Sequence, residues 1–306
     1  MKSNRVEYGD TLIELARERD DILVLDADVG KSTGTIQFRQ VFPERYINVG
    51  IAEQNLLGMA AGLATCGKVP FAATFGVFSS MRAVEQLRNA ICYPYLNVKV
   101  AGTHSGLETG EDGATHQAIE DIAIIRTIPN IRMIIPSTPN MTRYLTRLAS
   151  EVDGPFYLRF GKADAPEFYE EDEVFPLGKS KQLTDGTDAT VFACGNMVDI
   201  ALKASQLLAQ EGIHVRVLDM YSIKPFDTEV VLQAMQETKG FVTIEDHSII
   251  GGLGGIVSET IAGKGTIPLM KIGLQDTFGR SGKKQELFDL FGLTPEAVAE
   301  AVRSFQ

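Results

Sequence analysis

The chain alternates short β-branched runs with longer stretches of helical periodicity. Residues 11–19 read as an amphipathic helix. Ile22-Leu23-Val24-Leu25 is an apolar run that ends in Asp26-Ala27-Asp28, the pattern of a buried strand opening into a polar loop. Further strands are predicted at 69–74, 97–101, 132–135 and 156–159, and helices at 56–64 (closed by Gly67), 81–90, 116–126 and 139–151. Strands that alternate with helices predict a largely parallel sheet with helices on both faces. From Lys162 to about Asp188 the pattern breaks: Pro166, Pro176, Gly178, Gly186 and the acidic run 170–173 mark a linker. The alternation then resumes, with strands at 189–193, 214–219 and 240–245 and helices at 197–211, 230–238, 254–262 and 295–304. The last helix has Thr294 as N-cap and Pro295 at its first position. The fold class is therefore α/β: two three-layer α/β domains, 1–165 and 186–306, joined by a linker at 166–185.

Composition fits this picture. A chain of 306 residues allows about two domains at roughly 100–200 residues each. The 29 Lys plus Arg against 40 Asp plus Glu leave a formal net charge of −11, which argues against nucleic acid or anionic lipid as partners. No apolar run reaches the roughly 18 residues of a membrane span, and the N-terminus has no secretory h-region. Cys66, Cys92 and Cys194 are far apart, odd in number and without metal spacing, so they read as small buried apolar residues in a reducing, cytoplasmic setting.

In open parallel sheets, ligands lie beyond the carboxyl ends of the strands. That rule singles out 26–32, 49–55, 74–78 and 101–116, with Arg159 as a fifth candidate. The richest segment is 102–117. Its four glycines let backbone approach a ligand closely, and His104, Glu108, Glu111, Asp112 and His116 supply proton carriers. A solvated loop would have the same composition. The two histidines lack a matching third ligand, so no metal site is expected in this chain. Glu53 opens an otherwise apolar helix. It either complements the helix dipole or is a buried carboxyl sharing a proton with a ligand nitrogen, because desolvation favours the neutral acid. Phe75 and Phe78 are core residues or an apolar slot for a flat ring. Asp28 and Ser32 belong to a polar strand exit where Ser32 and backbone amides are placed to hold a phosphate. Arg159 is a rim salt-bridge partner or a substrate anchor. Gly251–Gly255 lacks the spacing of a dinucleotide fingerprint and reads as a tight turn.

Taken in order, Leu25-Asp26-Ala27-Asp28 with Ser32-Thr33, Ile51-Ala52-Glu53-Gln54-Asn55, Thr74-Phe75 and Gly110-Glu111-Asp112-Gly113-Ala114-Thr115-His116-Gln117 resemble the pyrimidine-binding domain of transketolase. Val217-Leu218-Asp219, Ile223-Lys224-Pro225, Glu245-Asp246-His247 and Arg280-Ser281-Gly282-Lys283 resemble the C-terminal domain of the same family. The resemblance covers essentially the whole chain. It implies a transferase that uses thiamine diphosphate to move a two-carbon ketol unit from a ketose phosphate to an aldose, with orientation and proton transfer supplied by the protein. By this resemblance, Glu53 is the carboxyl that hydrogen-bonds N1′ of the aminopyrimidine, Phe78 stacks on that ring, Phe75 lines the slot, and Asp28 lies on the thiazolium side. Arg5, Ser32, His104 and Arg159 match positions that anchor the substrate phosphate, for which a guanidinium fork is well suited. Asp112 reads a substrate hydroxyl, and His104 and His116 are the catalytic histidines near the reacting carbons. One departure is Ser79-Ser80-Met81-Arg82, where the family often places an aromatic beside the pyrimidine; Met81 is an adaptable apolar replacement.

Thiamine enzymes hold the diphosphate through Mg²⁺ (or Ca²⁺) on a Gly-Asp-Gly motif followed by a distant Asn. This chain has no Gly-Asp-Gly; Gly110-Glu111-Asp112-Gly113 contains an inserted Glu. The resemblance therefore implies the C-terminal subunit of a split transketolase. An N-terminal subunit would supply the metal and diphosphate site. Active sites would lie between chains, and an α₂β₂ assembly would involve self-association through this chain. Sugar phosphates are the expected substrates, although the cations named would also suit a sulfonate. The rivals are 1-deoxyxylulose-5-phosphate synthase, the β subunit of a 2-oxoacid dehydrogenase, and a non-catalytic paralogue.

Overall fold

In the computed structural model, which describes residues 2–305, the apolar runs of the first half build a seven-stranded sheet. Its order is Ser222–Lys224, Arg132–Ile134, Phe156–Arg159, Lys99–Thr103, Val69–Phe75, Ile22–Asp26, Tyr46–Asn48. The six first-half strands pair in parallel throughout. Both faces are covered, which is why the strands read as continuous apolar runs and not as an alternation. Alternate strand residues feed two cores. Val24, Phe71, Ala101 and Leu158 pack against the helices Asn4–Glu18 and Pro139–Glu151. Leu25, Ala72, Val100 and Tyr157 pack against Glu53–Thr65 and the segment that follows Phe78.

The second half forms a five-stranded sheet in the order Leu269–Leu274, Phe241–Ser248, Ala189–Ala193, Val215–Asp219, Lys181–Thr184. Helices Met197–Ala209 and Pro295–Arg303 lie on one face, and Thr228–Glu237 and Leu253–Ile261 on the other. Thr294 caps the last helix as expected, accepting the Ala297 N–H at 3.2 Å, a contact worth about 1 kcal/mol.

The halves are interlocked. Ser222–Lys224 leaves the second half to pair antiparallel with Arg132–Ile134, and Tyr221 is buried in a first-half core. Lys181–Thr184, in the segment read as linker, is an antiparallel edge strand of the second sheet. Leu107 and Ile119 belong to the second domain's core.

Two helices differ from the pattern. The 81–90 helix is two π-wound stretches, Phe78–Arg82 and Gln86–Cys92, a winding that often marks functional segments. The 116–126 helix begins only at Asp121, because the Gly106 N–H bonds the Ala118 carbonyl at 2.8 Å and keeps that stretch extended. Cys92 and Cys194 are buried, but Cys66 is exposed, since it ends a helix at the surface.

Candidate active site

Strands Val69–Phe75, Lys99–Thr103 and Phe156–Arg159 end in register, Phe75 opposite Thr103 and Gly102 opposite Arg159. Whatever follows them is crowded onto one end of the sheet. His104 turns out of its strand with φ 56°, a left-handed conformation that non-glycine residues keep only when packing holds them. Its ring lies flat on Phe75, centroids 4.1 Å apart and planes 27° apart. Phe78 continues the stack at 5.8 Å and 18° from Phe75. His116 meets Phe78 edge-on at 5.4 Å. Thr103 Oγ1 and Thr115 Oγ1 each lie 3.0 Å from Nδ1 of the following histidine. Burial, and then the positive charges of Arg5 and Lys162, push His104 down to about 3. At neutral pH it is therefore an uncharged imidazole, able to donate one hydrogen bond and accept another.

Glu53 is 3% exposed in the first turn of helix Glu53–Thr65. Arg82 Nη1 donates to its Oε2 at 2.9 Å, and the same guanidinium lies over the Phe78 ring, 4.4 Å from the centroid. Arg82 thus links the buried carboxylate to the aromatic stack. Met81 does not share this wall: it is 37% exposed, so the cation Arg82 stands beside the slot where an apolar side chain was expected. A buried carboxylate beside stacked aromatic faces suits a flat ring that carries a nitrogen. Asp28 is exposed, with φ 65°, and accepts from Asn48 Nδ2 at 2.9 Å.

The mouth of the site gathers four cations, with Glu108, Glu111 and Asp112 among them. Arg5 is half-buried and donates to the Lys162 and Ser32 carbonyls; burial lowers its pKa against the pull of Asp164 and Glu108. The Ser32 carbonyl, not its hydroxyl, makes that contact. Lys162 Nζ donates to the Thr109 carbonyl at 3.0 Å and to Asp112 Oδ2 at 2.8 Å, and this hydrogen bond holds Asp112 below the usual carboxylate range. Arg5, Lys162, Lys283 and Lys284 border one open depression here.

Arg159 does not lie at this mouth. It is 4% exposed, with Nε on Asp121 Oδ2 at 2.8 Å and Nη2 on the Ala118 and Asp246 carbonyls. In-register pairing beside Gly102 carries it inward between the domains, and Lys162 is the residue from the same strand exit that reaches the mouth.

The second domain moulds the 104–116 loop. Asp246 Oδ1 accepts the Leu107 N–H at 2.7 Å, and Gln117 Nε2 donates to the Arg280 carbonyl at 2.9 Å. At Gly106 (φ 77°) a Cβ would lie 2.3 Å from Asp246 Cγ, and at Gly113 (φ 81°) 2.5 Å from Ser281 Oγ. Both positions need glycine for conformation and for space.

Residues 2–167 match the transketolase pyrimidine-binding domain, and residues 178–298 match the transketolase C-terminal domain. The chain belongs to the transketolase family. A Methanocaldococcus jannaschii chain, provisionally named a transketolase C-terminal section, is 48% identical over 305 residues, 98% of this chain and 95% of that one. One subunit of an apulose-4-phosphate transketolase from Phocaeicola vulgatus is 39% identical, over 98% of this chain and 96% of its own. A structure described as a split gene transketolase, inactive beta4 tetramer, superposes with a TM-score of 0.93 at 46% identity, covering 100% of this chain and 98% of the other. The protein is thus a transketolase-family C-terminal subunit with the corresponding two-domain fold.

Three residues of this candidate site were given no role from the sequence: Lys162, Arg82 and Asp246, the last although it lies in the Glu245-Asp246-His247 run. Lys162 follows a predicted strand end by three positions, so the strand-exit rule, applied to side chains beyond the terminal residue, would have found it. Among the described residues no cluster of three or more His, Cys, Asp or Glu is placed to hold a metal, and no helix is long and apolar enough to cross a membrane.

Proposed function

We propose that this chain is the C-terminal half of a thiamine-diphosphate-dependent split transketolase that transfers a two-carbon ketol unit from a ketose phosphate to an aldose or aldose phosphate. The observation that carries this reading is the buried Glu53 carboxylate at the edge of the His104–Phe75–Phe78 stack. The near full-length match to stand-alone C-terminal subunits favours it over a single-chain deoxyxylulose-phosphate synthase.

The cofactor, when bound, supplies the electron sink for cleaving and forming the carbon–carbon bond. Phe78 and Phe75 would offer flat apolar faces to its aminopyrimidine, and Asp28 would contribute on its thiazolium side. Glu53 holds the proton shared with N1′, the chain's central contribution to activation. His104, neutral and buried, hydrogen-bonds the substrate oxygens, and His116 moves protons near the reacting carbons. Arg5, Lys162, Ser32 and the backbone around it receive the anionic end of the substrate, while Asp112 reads a hydroxyl. That an acidic protein takes an acidic sugar follows from this local gathering of cations. Mg²⁺ or Ca²⁺ and the diphosphate belong to an N-terminal partner chain, in an α₂β₂ assembly in the cytoplasm. The tetramer named for the similar structure supports self-association of such chains. The acceptor's pathway, central pentose phosphate or a specialised sugar, is read from substrates and not from this chain.

Glu53→Gln tests the reading in the complex with the partner. Folding and assembly should persist, while the tautomer-sensitive circular dichroism of the bound aminopyrimidine changes and ketol transfer is largely lost. Near-normal transfer by the variant, or substantial transfer by this chain alone with cofactor and Mg²⁺, would overturn it. Assaying fructose 6-phosphate, xylulose 5-phosphate and pyruvate as donors separates the enzyme classes: carbon dioxide release from pyruvate would favour the synthase or the dehydrogenase.

A further inference from the structure

The strand Ile22–Asp26 ends in a carboxylate that is 1% exposed, while Asp28, two residues on, is open to solvent. The Val29 N–H donates to Asp26 Oδ1 at 3.2 Å. The Tyr46 hydroxyl and the N–H groups of Gly30 and Asp28 also donate to this carboxylate. Burial pushes its pKa up, and these donors act against that. Successive N–H groups of a turn form a concavity that suits an anion. Here the chain supplies the anion itself.

The carboxylate is closely enclosed. A Cβ at Gly30 would lie 2.4 Å from the Tyr46 hydroxyl and 3.4 Å from Asp26 Oδ2. The Tyr46 hydroxyl also meets Thr35, whose Oγ1 lies 3.0 Å from Thr33 Oγ1. Asp26 is thus one end of a buried polar chain beneath the turn 28–33. A buried network whose members are all partnered holds a single geometry.

Two residues of the candidate site depend on that geometry. Asp28 has φ 65°, a left-handed conformation that a non-glycine residue keeps only when its surroundings hold it. Its Oδ1 accepts Asn48 Nδ2 at 2.9 Å, and Asn48 Oδ1 accepts the Gly50 N–H at 2.8 Å. The Gly50 carbonyl in turn accepts the Ala52 N–H at 2.8 Å, and Glu53 begins the helix that follows. The Asp26 backbone reaches the same segment, its carbonyl accepting the Val49 N–H at 2.9 Å. With its side chain on one segment and its backbone on the other, Asp26 ties the Asp28 turn to the approach to Glu53.

We propose that Asp26 is a positioning residue of this site: its carboxylate fills the concavity of amides 28–30 and so fixes Asp28 and, through Asn48, the turn from which Glu53 enters. Buried beneath that turn, it acts only through these residues. The inference rests on the thiamine reading for what Asp28 and Glu53 do, and on the contacts above for what holds them.

The test compares Asp26→Ala and the isosteric Asp26→Asn with the parent. Amide hydrogen exchange of the full chain should quicken at least about tenfold at 28–30 and at 50–53, the size expected for a lost hydrogen bond to a charged group, with far-UV circular dichroism unchanged. In the complex with the partner, thiamine diphosphate should bind about tenfold more weakly by titration, again the worth of one such bond. Formate, small enough for the vacated space, should restore both properties in Asp26→Ala, and the bulkier pivalate should not; a side chain that only filled space would not be replaced by an anion. Exchange at 28–30 and 50–53 equal to the parent's in both variants, or a change that formate leaves untouched, overturns the proposal. Should Asp26→Ala fail to fold, Asp26→Asn, which keeps the volume and loses the charge, decides by exchange at the same amides. A parent complex that binds no thiamine diphosphate would sink the thiamine reading instead, and the exchange result would still decide the positioning.

Discussion

The Asp246 carboxylate accepts the Leu107 N–H at 2.7 Å across 139 positions of sequence, one domain holding the 104–116 loop of the other. The same carboxylate takes Asn196 Nδ2 at 3.0 Å and faces the Glu108 N–H. Burial raises its pKa, while Asn196, Arg159 and the Leu107 N–H favour the charged form. Asp246→Asn keeps the shape but sets an N–H₂ against one of these donors, an arrangement that costs about 1–3 kcal/mol. The far-UV circular dichroism should be unchanged, with faster amide exchange confined to 104–116 and a lower kcat. Unaltered exchange at Leu107 would show that the loop holds its shape without this clamp.

Lys162 is a cation of the mouth whose partners among the described residues are Thr109 and Asp112. Lys162→Met keeps the stem and removes the charge. A hydrogen bond to a charged group is worth about 1.5–3 kcal/mol, so KM for phosphorylated donors should rise about 10- to 100-fold. Turnover of an unphosphorylated ketose should be little affected, and Lys162→Arg should restore most of the affinity. Equal losses for both donor types would assign Lys162 to folding of the loop instead.

The long elements of this fold were legible because they carry period. Pro139–Glu151 and Pro295–Arg303 match their expected limits closely, each with a threonine cap and a proline at the first position. The edge strands Tyr46–Asn48 and Ser222–Lys224 have three residues each, too few for any periodicity. In the site, motif residues were legible: the loop glycines, His104 and the Phe75–Phe78 pair all meet at one sheet end. Where Arg159 points was not legible, because a strand-terminal arginine looks the same whether its guanidinium turns out to solvent or inward to Asp121. Asp246 acts across the domain boundary, a relationship that no local pattern encodes.

His104 gives the pH dependence a definite sign. With the folded pKa near 3 and an unfolded value near 6.5, the unfolded chain binds the extra proton between those limits. Stability from this residue is therefore complete above about pH 6.5 and is lost progressively as pH falls toward 3. By proton NMR the His104 ring should show no titration between pH 5 and 9. A midpoint near 6.5 would mean that the ring is open to water and charged during turnover, contrary to the neutral role assigned to it. His104→Gln should remove its share of the acid sensitivity while lowering ketol transfer.

Asp219 contributes with the opposite sign. It is fully buried, and desolvation pushes it up to about 7, although Ser137 and Tyr169 donate to Oδ2. Its Oδ1 has no hydrogen-bond partner among the described residues, which suits a carboxyl that keeps its proton. The folded chain then binds one more proton than the unfolded chain from about pH 4 to about pH 7. The stability from this group is full below that window and declines as pH rises through it. Asp219→Asn mimics the protonated form at every pH. Compared with the parent by urea unfolding, the variant should be similar near pH 4 and progressively more stable by comparison toward pH 8. A difference that stays constant over that range would mean Asp219 is ionised in the folded protein, its charge borne by Ser137 and Tyr169.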